Sequence, residues 1–202
     1  MSIKENLKKF WNFVWKEDSW QSWIVSLILA FIIVKFIFFP LLSFILSASL
    51  PLVVVESGSM HHPGTFLGNV FGTQASFDEW WQQAGNWYEE KNIVKEQAEK
   101  WPLKTGMEKG DIIVVYGREE PEVGDIIIFS ADRQYPIIHR IISITEINGE
   151  KIYSTQGDNN SGQLEIEKQI PENTIIGKAV FKIPKLGWLK LIVVQFVNLF
   201  TS

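Results

Sequence analysis

The chain has 202 residues, enough for one domain or two, with 46% apolar and 21% charged residues. Its 19 basic and 23 acidic side chains leave a net charge of −4, without the basic footprint of a nucleic-acid partner, and none is expected. The absence of cysteine excludes disulfide frameworks, Cys-ligated zinc, iron–sulfur clusters and thiol nucleophiles. The three histidines, His61, His62 and His139, lack the His-x-x-x-His spacing of a helical metal site, so neither metal nor cofactor is expected.

Residues 1–22 carry Lys4, Lys8, Lys9 and Lys16 among Trp11, Trp15 and Trp20. Lysines ahead of a first span predict a cytoplasmic N-terminus, and the Trp residues read as an interfacial belt. From Trp23 to Leu46 the only charge is Lys35, and eighteen of positions 24–46 are Leu, Ile, Val or Phe. Such a run supplies roughly −5 to −11 kcal/mol of insertion free energy against about +3 for a central Lys. Residues 23–47 are therefore expected to form a single-pass anchor, kinked at Pro40, with Lys35 snorkelling towards a headgroup rather than acting as a relay. Ser47-Ala48-Ser49 has the small-x-small form of a signal-peptide cleavage site. The apolar run is too long and starts too late for a signal peptide, so a retained anchor is the expectation. The remainder of the chain would then lie outside the cytoplasm.

After the anchor, residues 61–106 form a Trp-rich segment. Ser76-Phe77-Asp78-Glu79 has the form of a capping box, and apolar residues follow at helical spacing. This predicts one amphipathic helix over about 77–99, weakened by Gly85. Its aromatic face would dock on the protein body, or else dip into a membrane interface. From Gly110 the pattern turns to β, with short β-branched runs at Ile112–Tyr116, Ile126–Phe129, Ile137–Ile144, Lys151–Thr155 and Ile175–Ile183. Pro121-Glu122-Val123-Gly124 and Asn148-Gly149 read as tight turns. Gly-Asp-Ile-Ile at 110–113 recurs at 124–127, which reads as two similar turn-to-strand junctions. The fold class is thus mostly β with α: an N-terminal transmembrane helix, then a small antiparallel, barrel-like β domain over 50–185 carrying the helical insert 61–106. The apolar tail 186–202 is too short to span and is expected to be an interfacial or capping helix.

Four short stretches could carry chemistry. Ser57-Gly58-Ser59-Met60 follows the strand-like run Leu52–Val55, where a Ser beside a Gly lets a peptide backbone approach closely. Taken alone, it is an ordinary loop. His139 lies inside an apolar β run, Ile138-His139-Arg140-Ile141, and taken alone is a core histidine. Gly124-Asp125-Ile126-Ile127 and Gly157-Asp158-Asn159-Asn160 are most simply turns.

In order, a span, Ser-Gly-Ser-Met, Gly-Asp-Ile-Ile, His-Arg-Ile and Gly-Asp-Asn-Asn together resemble the type I signal peptidases. The resemblance covers the anchor, residues 52–60 and residues 107–183, about two thirds of the chain. His139 stands where the bacterial members carry a Lys, so the chain is similar to the archaeal and endoplasmic-reticulum branch. The resemblance implies a membrane-bound serine endopeptidase that removes signal peptides from exported preproteins. Its catalytic domain would lie on the outer face of the cell membrane, and protein export machinery is a further possible partner. It implies Ser59 as nucleophile and His139 as general base, with Asp158 matching the first acid of the last box. The Ser59 N–H and the Ser57 hydroxyl would form the oxyanion hole. A Ser needs an adjacent base, a neutral His can supply one, and a carboxylate fixes its tautomer. The implied substrates carry small side chains at −1 and −3, with Leu52–Val55 pairing to the substrate strand.

Two departures stand out. No acid immediately follows the Gly-Asp-Asn-Asn box; the next are Glu165 and Glu167, which leaves Glu165 as a possible alternative to Asp158 for orienting His139. The insert 61–106 also replaces what is a brief loop in short family members. His61 and His62 are rival bases but adjoin Ser59 too closely in sequence, and Lys104 and Lys109 stand behind them. A self-cleaving repressor would need a Ser–Lys pair and a DNA-binding domain. A membrane-tethered, non-catalytic β domain that binds a partner is the alternative reading.

Overall fold

The computed structural model describes residues 3–64, 75–131, 133 and 135–201 and divides into two compact units, Met1–Ile45 and Leu46–Ser202. In the first unit a backbone flanked by apolar side chains satisfies its own polar groups as helix. Helix α1 (Ile3–Lys16) turns at residues 17–19 into α2 (Trp20–Ile33), whose N-cap Ser19 accepts a bond from Ser22 N–H. The Ser22 hydroxyl donates to the Phe13 carbonyl at 2.5 Å and that of Ser26 to Val14 at 3.1 Å, so the two hydroxyls of α2 are satisfied by α1. A π-helical turn, Val34–Phe38, leads into α3 (Phe39–Leu46). Pro40 has no N–H and crowds the preceding turn; widening that turn, with Phe39 N–H donating to Val34 O, accommodates it without breaking the helix. The stretch Trp20–Leu46 has 27 residues and contains an 18-residue window of mean hydropathy 2.7, long and apolar enough to cross a membrane. The Lys35 ammonium lies 5.7 Å and 5.4 Å from the Phe31 and Phe36 ring centroids, on the exposed surface of this helix.

The second unit is built on a curled, antiparallel seven-stranded sheet in the order β1-β2-β7-β3-β4-β5-β6, with helices alongside it. The strands are β1 (Leu52–Val54), β2 (Ile112–Tyr116), β3 (Ile126–Phe129), β4 (Ile137–Ile147), β5 (Glu150–Gln156), β6 (Ile170–Pro171) and β7 (Ile175–Ile183). Strand β3 is buried on both faces, because period-2 alternation sends Ile126 and Ile128 into one core with Ile113 and Val115, and Ile127 and Phe129 into another with Ile141 and Tyr153. Asn148 and Gly149 both adopt positive φ, the requirement of a two-residue hairpin, and join β4 to β5.

The repeated Gly-Asp-Ile-Ile stretches are the same local device used twice. Gly110 and Gly124 sit at φ +90° and +98°, each covered by an indole, Trp188 and Trp101 respectively. Asp111 and Asp125 each accept from the N–H three residues earlier, Glu108 at 2.8 Å and Glu122 at 3.0 Å, closing the turn that starts the strand. The two strands so launched, β2 and β3, flank β7 on either side.

The insert departs from the single predicted helix. Helix α4 spans Phe77–Glu89 and keeps the Ser76–Glu79 capping box, but the chain turns at 90–93, with Asn92 at φ +61°, before the one-turn α5 (Lys95–Ala98). Trp80, Trp81 and Tyr88 pack with Trp101 and Ile142 of β4, so the aromatic face is docked on the sheet. The insert closes at its base by a 2.7 Å bond from Met107 N–H to Met60 O, next to Ser59. Finally, α6 (Trp188–Thr201) follows β7; Leu191 is buried, while Leu189, Ile192, Val193 and Phe196 are exposed.

Candidate active site

Ser59 lies in the turn that follows edge strand β1, half-buried, with its hydroxyl 3.1 Å from that of Ser57. The turn is held from across the sheet. Asn159 donates its N–H to Ser59 O at 2.8 Å and its side-chain amide to Gly58 O at 3.0 Å. The Gly-Asp-Asn-Asn box is therefore the clamp on the Ser-Gly-Ser-Met box, although a hundred residues separate them.

His139 is the third residue of β4, at the start of its buried stretch, and pairs with Ile127 of β3. Its Nδ1–H donates to Glu167 Oε1. Glu167 is fully buried in the 3-10 turn Glu165–Glu167, and its carboxylate also accepts from Leu164 N–H at 2.7 Å and from the Thr155 hydroxyl at 3.4 Å. A carboxylate on Nδ1 fixes the neutral tautomer whose lone pair is on Nε2. That Nε2 faces Gly157: a Cβ placed there would stand 2.8 Å from His139 Nε2 and 2.8 Å from Ser59 O. Only a residue without a side chain lets the imidazole and the Ser59 turn share this space. No hydrogen bond joins the Ser59 hydroxyl to His139 among the described residues; the hydroxyl is turned to Ser57.

Asp158 and Glu165 do not take the place beside the imidazole. Glu165, the first residue of its 3-10 turn, points outwards and pairs with Lys168 at 2.6 Å. Asp158 faces a different partner, the fully buried Arg140, which grips it in two-pronged fashion, Nε to Oδ1 at 2.9 Å and Nη2 to Oδ2 at 2.6 Å. Asp158 also accepts from His62 Nε2–H at 2.9 Å and from the Tyr88 hydroxyl at 3.2 Å. Burial alone would raise the Asp158 carboxyl; the Arg140 charge and the bonds from His62 and Arg140 outweigh it and hold the carboxyl well below the usual range. Arg140 spends its remaining donors on the carbonyls of Gly124, Pro102 and Leu103 and stacks 5.0 Å from the Trp101 ring. His62, rival base on sequence, is buried and stacked parallel on Trp80 at 4.2 Å, with no partner for its Nδ1 among the described residues. Burial, ahead of its other influences, lowers its pKa. It belongs to the Asp158 network, not to Ser59. His61 lies 3.8 Å from Glu108.

Sequence reasoning named Glu167 only as a following acid and put Glu165 ahead of it. The available signal was the spacing Leu164-Glu165-Ile166-Glu167: in a 3-10 turn the acid at the third position reaches back to the N–H at the start and turns inward, while the first turns out.

No protein-family profile matches the chain. It is similar to several proteins named signal peptidase complex catalytic subunit SEC11: that of Eremothecium gossypii, 31% identical over 100 residues, 45% of this chain and 60% of the relative; that of Scheffersomyces stipitis, 26% identical over 103 residues, 47% and 62%; and that of Colletotrichum graminicola, 28% identical over 109 residues, 50% and 63%. The chain thus spans somewhat under two thirds of the length of these relatives. The ordered boxes and these relatives agree, and over the matched stretch the chain is homologous to the type I signal peptidases that serve as catalytic subunits of the signal peptidase complex.

Proposed function

We propose that this chain is a membrane-bound serine endopeptidase that cleaves signal peptides from preproteins, with Ser59 as nucleophile, His139 as general base and Glu167 as the carboxylate that orients it. The observation that carries the reading is the His139 arrangement: Nδ1 held by a buried carboxylate and Nε2 directed at the glycine that separates it from the Ser59 turn. The homology to signal peptidase catalytic subunits supports the same reaction class.

In this mechanism the Ser59 hydroxyl rotates from Ser57 to His139. Its oxygen attacks the carbonyl carbon of the scissile peptide as its proton passes to His139 Nε2. The carbonyl oxygen becomes an oxyanion, which the Ser59 N–H and the Ser57 hydroxyl would stabilise; one such donor is typically worth about 3–4 kcal/mol. The resulting imidazolium returns that proton to the leaving amine as the C–N bond breaks, leaving an ester on Ser59. Water, deprotonated by the same Nε2, hydrolyses the ester. Glu167 keeps the Nδ1 proton throughout and compensates the transient positive charge.

Edge strand β1 pairs only with β2 among the described residues, so its other edge is free to pair with an extended substrate segment preceding the cut. Small residues at −1 and −3 are the specificity we propose for it. The helix Trp20–Leu46 would anchor the enzyme in the cell membrane with its N-terminus in the cytoplasm. The chain would act on preproteins delivered by export machinery, and α6 would rest its exposed apolar side chains at the bilayer interface. The test is cleavage of a preprotein by the purified chain in lipid. Ser59→Ala and His139→Ala should each abolish product while leaving the melting temperature within a few degrees of the parent.

A further inference from the structure

We propose that the helical insert gives the active site a second peptide-binding subsite: the cleft between α4 and the 157–161 turn receives an apolar side chain from the substrate segment that follows the cleaved bond. The proposal rests on the peptidase reading above and concerns a part of the chain that short family members lack. The cleft has a volume of about 300 Å³, room for one large side chain with its flanking backbone. Trp80, Ala84 and Trp87 of α4 form one wall, the 157–161 turn forms the other, and Pro63 belongs to the lining close in sequence to the nucleophile.

Gly157 lines the cleft, and it is this glycine whose missing side chain leaves room for both His139 Nε2 and the Ser59 backbone. The cleft therefore opens on the place where the scissile bond would lie. Strand β1, the docking edge for residues before the cut, is at one end of the sheet order, whereas the 157–161 turn leaves β5 near the other end. The Ser57–Ser59 turn connects the two regions through Asn159. A peptide lying along β1 and crossing Ser59 leaves on the side of the 157–161 turn, where α4 stands. The wall of indole and methyl groups suits an apolar side chain, and Gln83, Asn160 and Ser161 among the lining residues offer amide and hydroxyl groups for peptide backbone. The wall is also preformed. A capping box fixes the start of α4, and the Trp80 indole N–H donates to Asp158 O at 3.1 Å, tying the helix to the turn it faces.

The test uses the full chain in lipid and a series of peptides identical up to the cut and carrying Gly, Leu or Phe in the three positions after it. Two variants change the cleft in opposite senses: Ala84→Trp fills it and Trp87→Ala opens it. In the parent, Leu and Phe peptides should be cleaved with higher kcat/KM than the Gly peptide. Ala84→Trp should lower kcat/KM about tenfold or more for the Leu and Phe peptides and less than about twofold for the Gly peptide, the scale on which apolar pockets discriminate. Trp87→Ala should flatten the preference. Acylation of Ser59 by a small mechanism-based inhibitor should proceed at the parental rate in both. Equal losses on all three peptides, or a preference that survives both variants, would overturn the subsite. Absence of both cleavage and acylation in the parent would instead overturn the peptidase reading. Photocrosslinking of a Leu peptide to Ser59→Ala, and its loss in Ser59→Ala/Ala84→Trp, would still test the cleft.

Discussion

At the scale of single residues the site contains two buried carboxylates with different work. Glu167 meets the imidazole of His139, and Asp158 meets the guanidinium of Arg140. Glu167→Gln should therefore lower kcat by on the order of 10²-fold or more, through loss of the charge that holds the tautomer, while Glu165→Gln, which removes only an exposed pair with Lys168, should leave the rate close to parental. Rates on one preprotein substrate check both. Asp158→Ala should act on stability instead, because it strands Arg140 as a buried, unpaired cation; the expected loss is about 3–5 kcal/mol, measured by denaturant unfolding. This network also sets a pH dependence. The depressed carboxyl of Asp158 contributes stability that is present above the ordinary carboxylate pKa, about 4, and is lost as pH falls below it. The lowered His62 contributes stability present above about 6.5 and eroded as pH falls from there, since the unfolded chain takes the proton first. Melting temperature should decline in two stages on acidification, and His62→Gln should weaken the upper one, to which the lowered His61 also contributes. The boxes that carry Ser59 and His139 stand out in the sequence because their residue types and order are unusual together. The partners of Asp158 do not, because His62, Tyr88 and Arg140 are 96, 70 and 18 residues away and only the fold brings them in.

At the scale of elements, six of the seven strands were readable almost to their ends, since β-branched runs bounded by Gly, Pro and Asn have few alternatives, whereas the two-residue β6 (Ile170–Pro171) is too short to leave a pattern. The end of α4 was not readable either. The apolar spacing continues through Ile93, Val94 and Ala98, but Asn92 takes the left-handed turn that sends α5 off separately. The aromatic face of the insert had two possible destinations on paper; docking won because Trp80 and Tyr88 find partners for their N–H and O–H on Asp158 and because Ile142 offers an apolar seat. Trp80→Ala should therefore cost about 3–5 kcal/mol of stability and should also loosen the 157–161 turn. Gly157→Ala is the complementary change. Its methyl group would meet His139 Nε2 and Ser59 O at 2.8 Å, so acylation of Ser59 should fall steeply while the strands remain folded, as circular dichroism and inhibitor labelling would show together.

At the scale of the whole molecule, a helical hairpin with one helix long enough to span a bilayer precedes a sheet domain whose reactive groups are gathered by strand order rather than by sequence proximity. Lys4, Lys8, Lys9 and Lys16 lie on α1, along with the exposed Leu7, Phe10 and Trp11, which suits a helix resting on a membrane surface; the proposed orientation puts that surface on the cytoplasmic side. Protease added to right-side-out vesicles should accordingly reach the insert and spare the first 20 residues; the opposite pattern would reverse the orientation. The Ser59–His139–Glu167 reaction is tested by mass-spectrometric detection of the acyl-enzyme on the full chain in lipid after exposure to a mechanism-based serine acylating agent. One adduct is expected, on Ser59, formed by the parent, slowed by orders of magnitude in His139→Ala and reduced on the order of 10²-fold in Glu167→Gln. An adduct on another residue, or on Ser59 at an undiminished rate without His139, would contradict that mechanism.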